Sequence, residues 1–339
     1  MKQKIIDEIK QIIDESLQNN SLQDDFSQEE IYLNNFDNNC LKFNQISSNN
    51  NLNLVFIDGG NNEIFSTPSF NLSLIKISAI FFNKGIKKSV LIKECLLFSN
   101  QNKKVVIENK FNILDKNNFD KSLFEEWLIP KCGFNNRLPE IFRRLNELDL
   151  ALKLSNIFKE NYIVIDGTLN QQFKDNLDEK NILKKISENI IDCDNQNIGN
   201  KILGLVKTNR EIDINGNSLF FLINEKSPIN KSWITNIFET SNNLKNVYAK
   251  LNSNSKYIFK IDFFDNLPLK VFENLVHNSN DLIFKGYPYG LILADKFAKV
   301  SDKEINFKKT ILLTKIDYNK IEIGLNALNI HDKIDSINL

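Results

Sequence analysis

A short apolar run, Leu54-Val-Phe-Ile-Asp58-Gly-Gly60, predicts a buried strand that ends at an acidic turn. A second run, Tyr162-Ile-Val-Ile-Asp166-Gly167, repeats the pattern further along the chain. If the two strands are neighbours in one sheet, their terminal carboxylates lie close together. Two ionised carboxylates at short range repel each other, and a divalent cation between them removes that repulsion. The alternative for either run alone is an ordinary strand-ending Asp-Gly turn.

The segment between these runs predicts a helix that carries a third acidic residue. Pro139 is favourable in the first turn of a helix. Apolar residues then recur at helical spacing and form one face of the predicted helix: Ile141, Leu145, Leu148 and Leu152. A charged stripe lies beside that face: Glu140, Arg143, Arg144 and Glu147. Glu147 is at the edge of the core-facing side and is therefore the candidate ligand, although such a stripe is more often a solvated face.

Composition narrows the chemistry that the chain can support. The 339 residues include 43 Lys plus Arg and 43 Asp plus Glu, so a generally basic coat for nucleic acid is excluded, but a local basic groove is not. The four cysteines lie far apart with no CxxC, which argues against a disulfide framework or a zinc site. With only two histidines, any metal chemistry must use carboxylates.

The organisation of the chain predicts a small N-terminal segment before one large domain. Residues 1–50 are expected to form an amphipathic helix followed by a loose connection, and residues 51–339 to form the main domain. That domain divides into a core of about residues 52–210 and a C-terminal lobe of about residues 211–339. No run reaches the ~18 apolar residues of a membrane span, so we expect a cytoplasmic protein without a membrane partner.

The remaining elements follow from short apolar runs and helical spacing. Strands are expected at 72–82, 89–98, 202–206, 219–223, 247–251, 257–263, 310–316 and 321–325. Helices are expected at 181–191, 269–277 and 288–300, whereas residues 100–138 give no clear pattern. The first helix and the two tail strands carry surplus apolar surface, which suggests a homodimer or another partner there.

The order of strand Asp, helix Glu and strand Asp resembles the ribonuclease H-like nucleases. The resemblance implies an α/β fold, a mixed sheet flanked by helices, here with an appended α+β C-terminal lobe. In such nucleases three or four carboxylates hold two Mg²⁺ or Mn²⁺ ions for in-line phosphodiester hydrolysis, one ion activating water and the other stabilising the leaving oxygen.

A narrower resemblance, to the NurA nuclease family, rests on four motifs in order. They are Phe56-Ile-Asp58-Gly-Gly60, Arg143-Arg-Leu-Asn-Glu147-Leu148, Ile163-Val-Ile-Asp166-Gly-Thr-Leu169 and Gly286-Tyr-Pro-Tyr-Gly-Leu-Ile-Leu-Ala294-Asp-Lys-Phe-Ala298. A weaker fifth is Ile202-Leu-Gly-Leu-Val-Lys207-Thr208. The resemblance covers about residues 52–300. It implies a nuclease that uses Mn²⁺ or Mg²⁺, acts on DNA ends, and works as a homodimer beside a hexameric HerA-type ATPase translocase.

Carried over by position, the family's metal ligands fall on Asp58, Glu147 and Asp166. Lys207 matches a lysine after the last core strand, and Tyr287 matches the tyrosine of the Tyr-Pro motif. Asp295 departs from the pattern, because the family usually has His there. Helical spacing predicts that Asp295 interrupts an apolar stripe, where a carboxylate should be paired or bound to a cation. It is therefore a candidate fourth ligand, or alternatively the mark of a weakened site.

Two functional hypotheses follow from this pattern. The first is a metal-dependent DNA nuclease for end processing, with the 5′–3′ exonuclease and single-strand endonuclease activities that the resemblance implies. The second is a catalytically weakened scaffold that binds DNA or a HerA-type translocase. An actin-like ATPase is a poor third, because Asp58-Gly-Gly-Asn-Asn-Glu63 lacks the glycine and Ser/Thr content of a phosphate loop.

Overall fold

The computed structural model describes residues 41–66, 70–100, 104–114, 122–133, 137–174, 176–189, 192–193, 196–197, 201–207, 211, 218–240 and 243–315. The predicted N-terminal helix and the predicted strand at 321–325 lie outside these ranges. No helix within them is both long enough and apolar enough to cross a membrane.

The described residues form thirteen strands and seven helices. The strands are β1 (Phe43–Gln45), β2 (Asn53–Ser66), β3 (Phe70–Asn83), β4 (Ile86–Asn100), β5 (Lys104–Leu114), β6 (Asn161–Asp166), β7 (Asp192–Cys193), β8 (Gln196–Asn197), β9 (Ile202–Val206), β10 (Trp233–Thr235), β11 (Phe238–Glu239), β12 (Leu244–Lys250) and β13 (Phe259–Phe264). The helices are α1 (Ser122–Glu125), α2 (Leu138–Ile157), α3 (Leu177–Ser187), α4 (Leu219–Lys226), α5 (Leu269–Asn278), α6 (Tyr289–Ala298) and α7 (Asp302–Lys315).

One mixed sheet organises the molecule. Its strand order is β1-β10-β12-β13-β9-β6-β2-β3-β4-β5, with β11 paired to β12, while β7 and β8 pair separately. Strands β2 to β5 form an antiparallel meander, and β6 and β9 then add in parallel on the other side of β2. An antiparallel meander followed by parallel strands with helical crossovers is the arrangement expected of a ribonuclease H-like sheet, so the predicted fold class is confirmed.

Two hydrophobic cores cover the two faces of this sheet. Because successive strand residues point to opposite faces, the apolar run of β2 serves both. Leu54 and Phe56 join the core with α5 and α6, whereas Val55 and Ile57 join the core with α2 and α3. The continuous apolar run is therefore explained by burial on both sides, as is usual where a strand has a parallel neighbour.

The C-terminal segment has the expected α+β content and adds its strands to the same sheet. β13 pairs antiparallel with β9, and β12 pairs with β13. Helix α6 packs on β2 and β3, where the Ser78 hydroxyl donates to the Ala294 carbonyl at 2.7 Å. Helix α7 is fixed to the sheet by Lys76, whose ammonium lies 2.7 Å from a Glu304 carboxylate oxygen.

Several predicted elements are wrong in type or extent. The run at 219–223 belongs to helix α4, and residues 310–315 belong to helix α7. A short apolar run does not distinguish a strand from a buried helix turn. Leu219 and Ile223, four residues apart, pack together against Trp233 and Tyr248. Residues 100–138, which gave no clear pattern, contain β5, α1 and the start of α2.

The predicted strand end at Asp58 is also wrong. β2 continues through the Asp-Gly-Gly sequence to Ser66, because β3 pairs with it along that length, with Gly59 opposite Ile77 and Gly60 opposite Lys76. Long-range pairing here outweighs the local preference of Asp-Gly for a turn. β6, in contrast, does end at Asp166.

Candidate functional site

Asp58 and Asp166 are neighbours across the parallel pair of β2 and β6. The register places Ile57 opposite Ile165, so the next residue of each strand is an aspartate. Asp58 is 7% exposed, and one of its oxygens accepts the Gly59 N–H at 2.7 Å. Burial, followed by the charges of Asp166 and Glu147, raises the pKa of Asp58 to about 9. The close approach of acidic groups inferred from the sequence is therefore present in the structure.

Glu147 reaches this point from helix α2. It is 1% exposed, and its Oε1 pairs with Arg143 Nη1 at 2.5 Å. The approach depends on Gly59, since a Cβ there would lie 2.3 Å from Glu147 Oε1. By strand alternation Gly59 belongs to the face covered by α2 and Asp58 to the opposite face. The missing side chain thus lets Glu147 come up to the sheet beside Asp58.

Arg143 ties this helix to β2 through two contacts. Besides Glu147, its guanidinium donates to the Gly59 carbonyl at 3.2 Å and to Asn61 Oδ1 at 3.1 Å. The adjacent Glu147 carboxylate raises the pKa of Arg143, so the cation is firmly held. In the sequence Arg143 belongs to a charged stripe and to one of the four motifs, and neither indicated its contact with the strand.

Two further residues complete the cluster: Lys207, directly after β9, and Tyr287, in the turn before α6. Lys207 Nζ lies 2.5 Å from Asp166 Oδ2 and 4.9 Å from the centre of the Tyr287 ring. Burial and the carboxylates of Asp166 and Asp58 raise the pKa of Tyr287, so its hydroxyl stays protonated. That hydroxyl is buried without a well-formed hydrogen bond in the described residues. Its interaction is with the Asp166 side chain, which helps to raise its pKa.

Asp295 does not lie where helical spacing predicted. The buried face of α6 consists of Gly290, Leu291, Ala294 and Ala298, and Asp295 is exposed. The predicted stripe is wrong because a residue directly after Ala294 is turned away by about 100°. Asp295 nevertheless lies within electrostatic reach of Tyr287, whose pKa it helps to raise.

A buried network supports the loop that follows Asp166. Arg144 is 2% exposed, donates to the Thr168 carbonyl, and has its Nε 3.4 Å from Glu179 on α3. Glu179 also accepts the backbone N–H groups of Gln172 and Phe173. No pattern of side-chain types predicted this network. The available clue was the position of Arg144, directly before the core residue Leu145 in the helix.

The same loop is held from the sheet by Asp262 of β13. The Thr168 hydroxyl and the Leu169 N–H both donate to Asp262 Oδ2. Asp262 is fully buried, which raises its pKa, and Lys260 lies 3.4 Å away as its counter-ion. Two buried charged groups on different elements therefore fix the backbone next to Asp166.

The sequence profile of the NurA domain matches residues 52–300, which is most of the chain and includes every residue of the cluster. The chain belongs to the NurA family. No protein with a curated description matches the sequence significantly.

Several solved structures are similar to this NurA-family chain at low sequence identity. The NurA nuclease from Sulfolobus solfataricus is 16% identical, with 93% of this chain and 97% of that chain covered and a TM-score of 0.49. Endonuclease V from Streptomyces avermitilis is 9% identical, with 77% and 86% covered and a TM-score of 0.34. Argonaute from A. aeolicus is 14% identical with a TM-score of 0.34; 73% of this chain matches only 28% of that chain.

The acidic cluster of this NurA-family chain is not preformed for a metal ion. In the described ranges, no three His, Cys, Asp or Glu side chains stand together as a ready ligand set. Glu147 and Asp166 each have an oxygen engaged by a cation, Arg143 and Lys207 respectively. The donor chemistry still fits a hard divalent ion, because carboxylate oxygens are what Mg²⁺ and Mn²⁺ prefer. The side chain of Lys207, which engages Asp166, is 46% exposed.

Proposed function

We propose that the protein is a metal-dependent deoxyribonuclease that processes DNA ends with Mn²⁺ or Mg²⁺. The proposed metal ligands are Asp58, Glu147 and Asp166. The exposed Asp295 is proposed as a fourth carboxylate. The observation that carries the proposal is the convergence of three acids from separate elements: Asp58 and Asp166 follow a paired Ile57 and Ile165, and Glu147 reaches them across Gly59. Buried acids held together at such a cost in repulsion are typical of sites that bind a cation or perform catalysis.

The chain's own side chains have separate tasks in this proposal. When bound, the divalent ions would lower the pKa of a water and stabilise charge on the leaving oxygen. Lys207, displaced from Asp166, would hold a phosphate as a point charge. The Tyr287 hydroxyl, protonated and without a well-formed bond, would donate to a phosphate oxygen. Arg143 would keep the Glu147 carboxylate turned toward the sheet.

The finer activities are carried by the family resemblance and are part of the same proposal. They are 5′–3′ exonuclease and single-strand endonuclease action, a homodimeric state, a HerA-type translocase partner and a cytoplasmic location. The specific alternative is a weakened scaffold. Two observations favour it. The side chains of Arg143 and Lys207 already pair with Glu147 and Asp166, and Asp295 is exposed at a position where the family usually has His.

The deciding experiment compares wild-type protein and Asp58→Asn on end-labelled DNA with Mn²⁺, Mg²⁺ or chelator. We expect metal-dependent cleavage by wild-type protein and a loss of at least a hundredfold in the variant, comparable to removal of one central catalytic group. Thermal stability without metal should be unchanged or higher, because Asn needs no proton to stay neutral, whereas burial beside Asp166 and Glu147 forces Asp58 to take one up on folding. Normal cleavage by Asp58→Asn would refute the ligand assignment, and an inactive wild-type protein would favour the scaffold.

A further inference from the structure

Three consecutive apolar side chains project into solvent in the loop between α5 and α6. Leu282, Ile283 and Phe284, here called the apolar loop, are 86%, 91% and 52% exposed. The loop is held in a fixed shape, since Asp281 Oδ1 accepts the N–H groups of Ile283 and Phe284. A run of exposed apolar residues works against folding and solubility unless it has a binding role.

The apolar loop leads directly into the acidic cluster. Tyr287, which lies beside Asp166 and Lys207, follows Phe284 by three residues, and its N–H donates to the Phe284 carbonyl at 3.3 Å. Three residues span at most about 10 Å of chain. Gly286 makes the tight turn between them possible, with φ of +97° and a Ser255 hydroxyl that would lie 2.3 Å from any Cβ.

A second loop adds an aromatic ring and positive charge beside the first. Tyr257 is 57% exposed, and its N–H donates to the same Ser255 hydroxyl that touches Gly286. Its ring centre is 6.4 Å from that of Phe259, which in turn is 5.6 Å from the Tyr287 ring. Lys256 and Lys285 are exposed next to these side chains. An exposed ring, the apolar loop and two exposed lysines thus belong to the two chain segments that lead to Tyr287.

We infer that the apolar loop and Tyr257 form a platform for the unpaired bases of a nucleic-acid strand that enters the acidic cluster. Every base has an apolar face that stacks on such side chains without regard to sequence, while lysines bind the phosphates between bases. A duplex keeps its bases stacked on one another and cannot use the platform until its end is opened. The inference rests on the proposed nuclease function for its location.

Charge favours a nucleic acid over a protein as the occupant. Lys256 directly precedes Tyr257 and Lys285 directly follows Phe284, and both are exposed. Ring contacts connect Tyr257 through Phe259 to Tyr287, over which Lys207 lies. A surface used only for docking a protein has no need to adjoin these groups. A protein partner is therefore treated as an outcome that the test would reveal.

The test measures binding rather than cleavage. Fluorescence anisotropy of a labelled oligothymidine of about 16 nucleotides, and of a blunt hairpin duplex, is followed in chelator with full-length protein. We expect Ile283→Ser/Phe284→Ser to weaken single-strand binding by about tenfold or more, with less than a twofold change for the duplex. Tyr257→Ala should give a smaller loss in the same direction.

The chain offers a matched control pair. Ile229 and Phe221 are 83% and 62% exposed and belong to the α4 region, so Ile229→Ser/Phe221→Ser should bind both probes as wild type does. Equal single-strand affinity for wild type and the loop variant overturns the inference. If that variant instead changes only the sedimentation coefficient, the patch is a protein interface and the inference is also overturned.

Folding and the nuclease proposal are checked separately. If the double variant loses its cooperative thermal transition, Phe284→Ala alone replaces it, with the same expected direction. Loop-dependent single-strand binding by a protein that does not cleave DNA would support the platform and refute the nuclease. If cleavage depends on Asp58 but single-strand binding is unchanged in the loop variant, the platform is refuted and the nuclease proposal stands.

Discussion

Gly59 is the residue on which the approach of Glu147 to the sheet depends. In Gly59→Ala the new Cβ would lie 2.3 Å from Glu147 Oε1 and 3.0 Å from Arg143, so the ion pair must move away from β2. We expect at least a tenfold loss of cleavage, as for other displaced catalytic groups, together with a lower melting temperature. The matched control is Gly133→Ala, since a Cβ at Gly133 meets no atom within 4 Å. Equal activity of both variants would contradict the proposed role of Glu147.

Lys93 gives a pH-dependent test away from the site. It is 2% exposed, donates to the Glu126 carbonyl, and lies 4.3 Å from the Trp127 ring centre. Burial lowers its pKa from 10.5 to about 8. Between these values the unfolded chain binds the extra proton, so stability rises with pH through this window.

Lys93→Met removes that titration. We expect the variant to be more stable than wild type at pH 7, and the difference in free energy of unfolding to shrink as the pH rises from about 8 to 10. Urea unfolding at several pH values measures this difference. The exposed Lys180→Met is the control and should show a difference near zero throughout. A difference that does not vary with pH would mean that Lys93 is not buried as a cation.

At the scale of elements, the packing of α2 on α3 fixes the loop after β6. Arg144→Met would leave Glu179 buried without its cation, which costs about 3–5 kcal/mol of stability. Arg144→Met/Glu179→Gln should recover much of that loss. Arg137→Met breaks a similar but exposed pair with Glu140 and should cost less than about 1 kcal/mol. Chemical denaturation of wild type, the double variant and the two single variants measures these free energies of unfolding. Equal losses of stability in Arg144→Met and Arg137→Met would contradict the buried network.

The elements also show which features a sequence reveals. The two parallel strands were predictable from two similar apolar runs that each lead into Asp-Gly, and α2 from an apolar face that recurs at helical spacing. The continuation of β2 past Asp58 was not, since it depends on pairing with β3. Helix α4 was missed because its apolar run is short. Glu147 was found by position, but its contact with Arg143 across Gly59 required the geometry of two elements far apart in the chain.

At the scale of the whole molecule, the acidic cluster lies where the two cores meet. Asp58 and Asp166 come from adjacent strands, Glu147 from a helix on one face, and Tyr287 from the turn before a helix on the other. Each element has its own hydrophobic core to hold it in place. A cation bound at this junction would therefore connect both layers of the fold, and its binding energy would add to global stability.

This connection predicts that divalent cations stabilise the entire protein against heat. At about 100 times its dissociation constant, a ligand that binds only the folded state adds about 2.7 kcal/mol to the free energy of unfolding. We expect Mn²⁺ or Mg²⁺ to raise the melting temperature measured by calorimetry, and chelator to reverse the rise. Asp58→Asn should abolish the rise, because it removes a buried ligand. Asp295→Asn should reduce it by a smaller amount, because that carboxylate is exposed. An identical rise in wild type, Asp295→Asn and Asp295→His would exclude Asp295 as a ligand, and a gain of cleavage in Asp295→His would identify it as the residue that weakens this site.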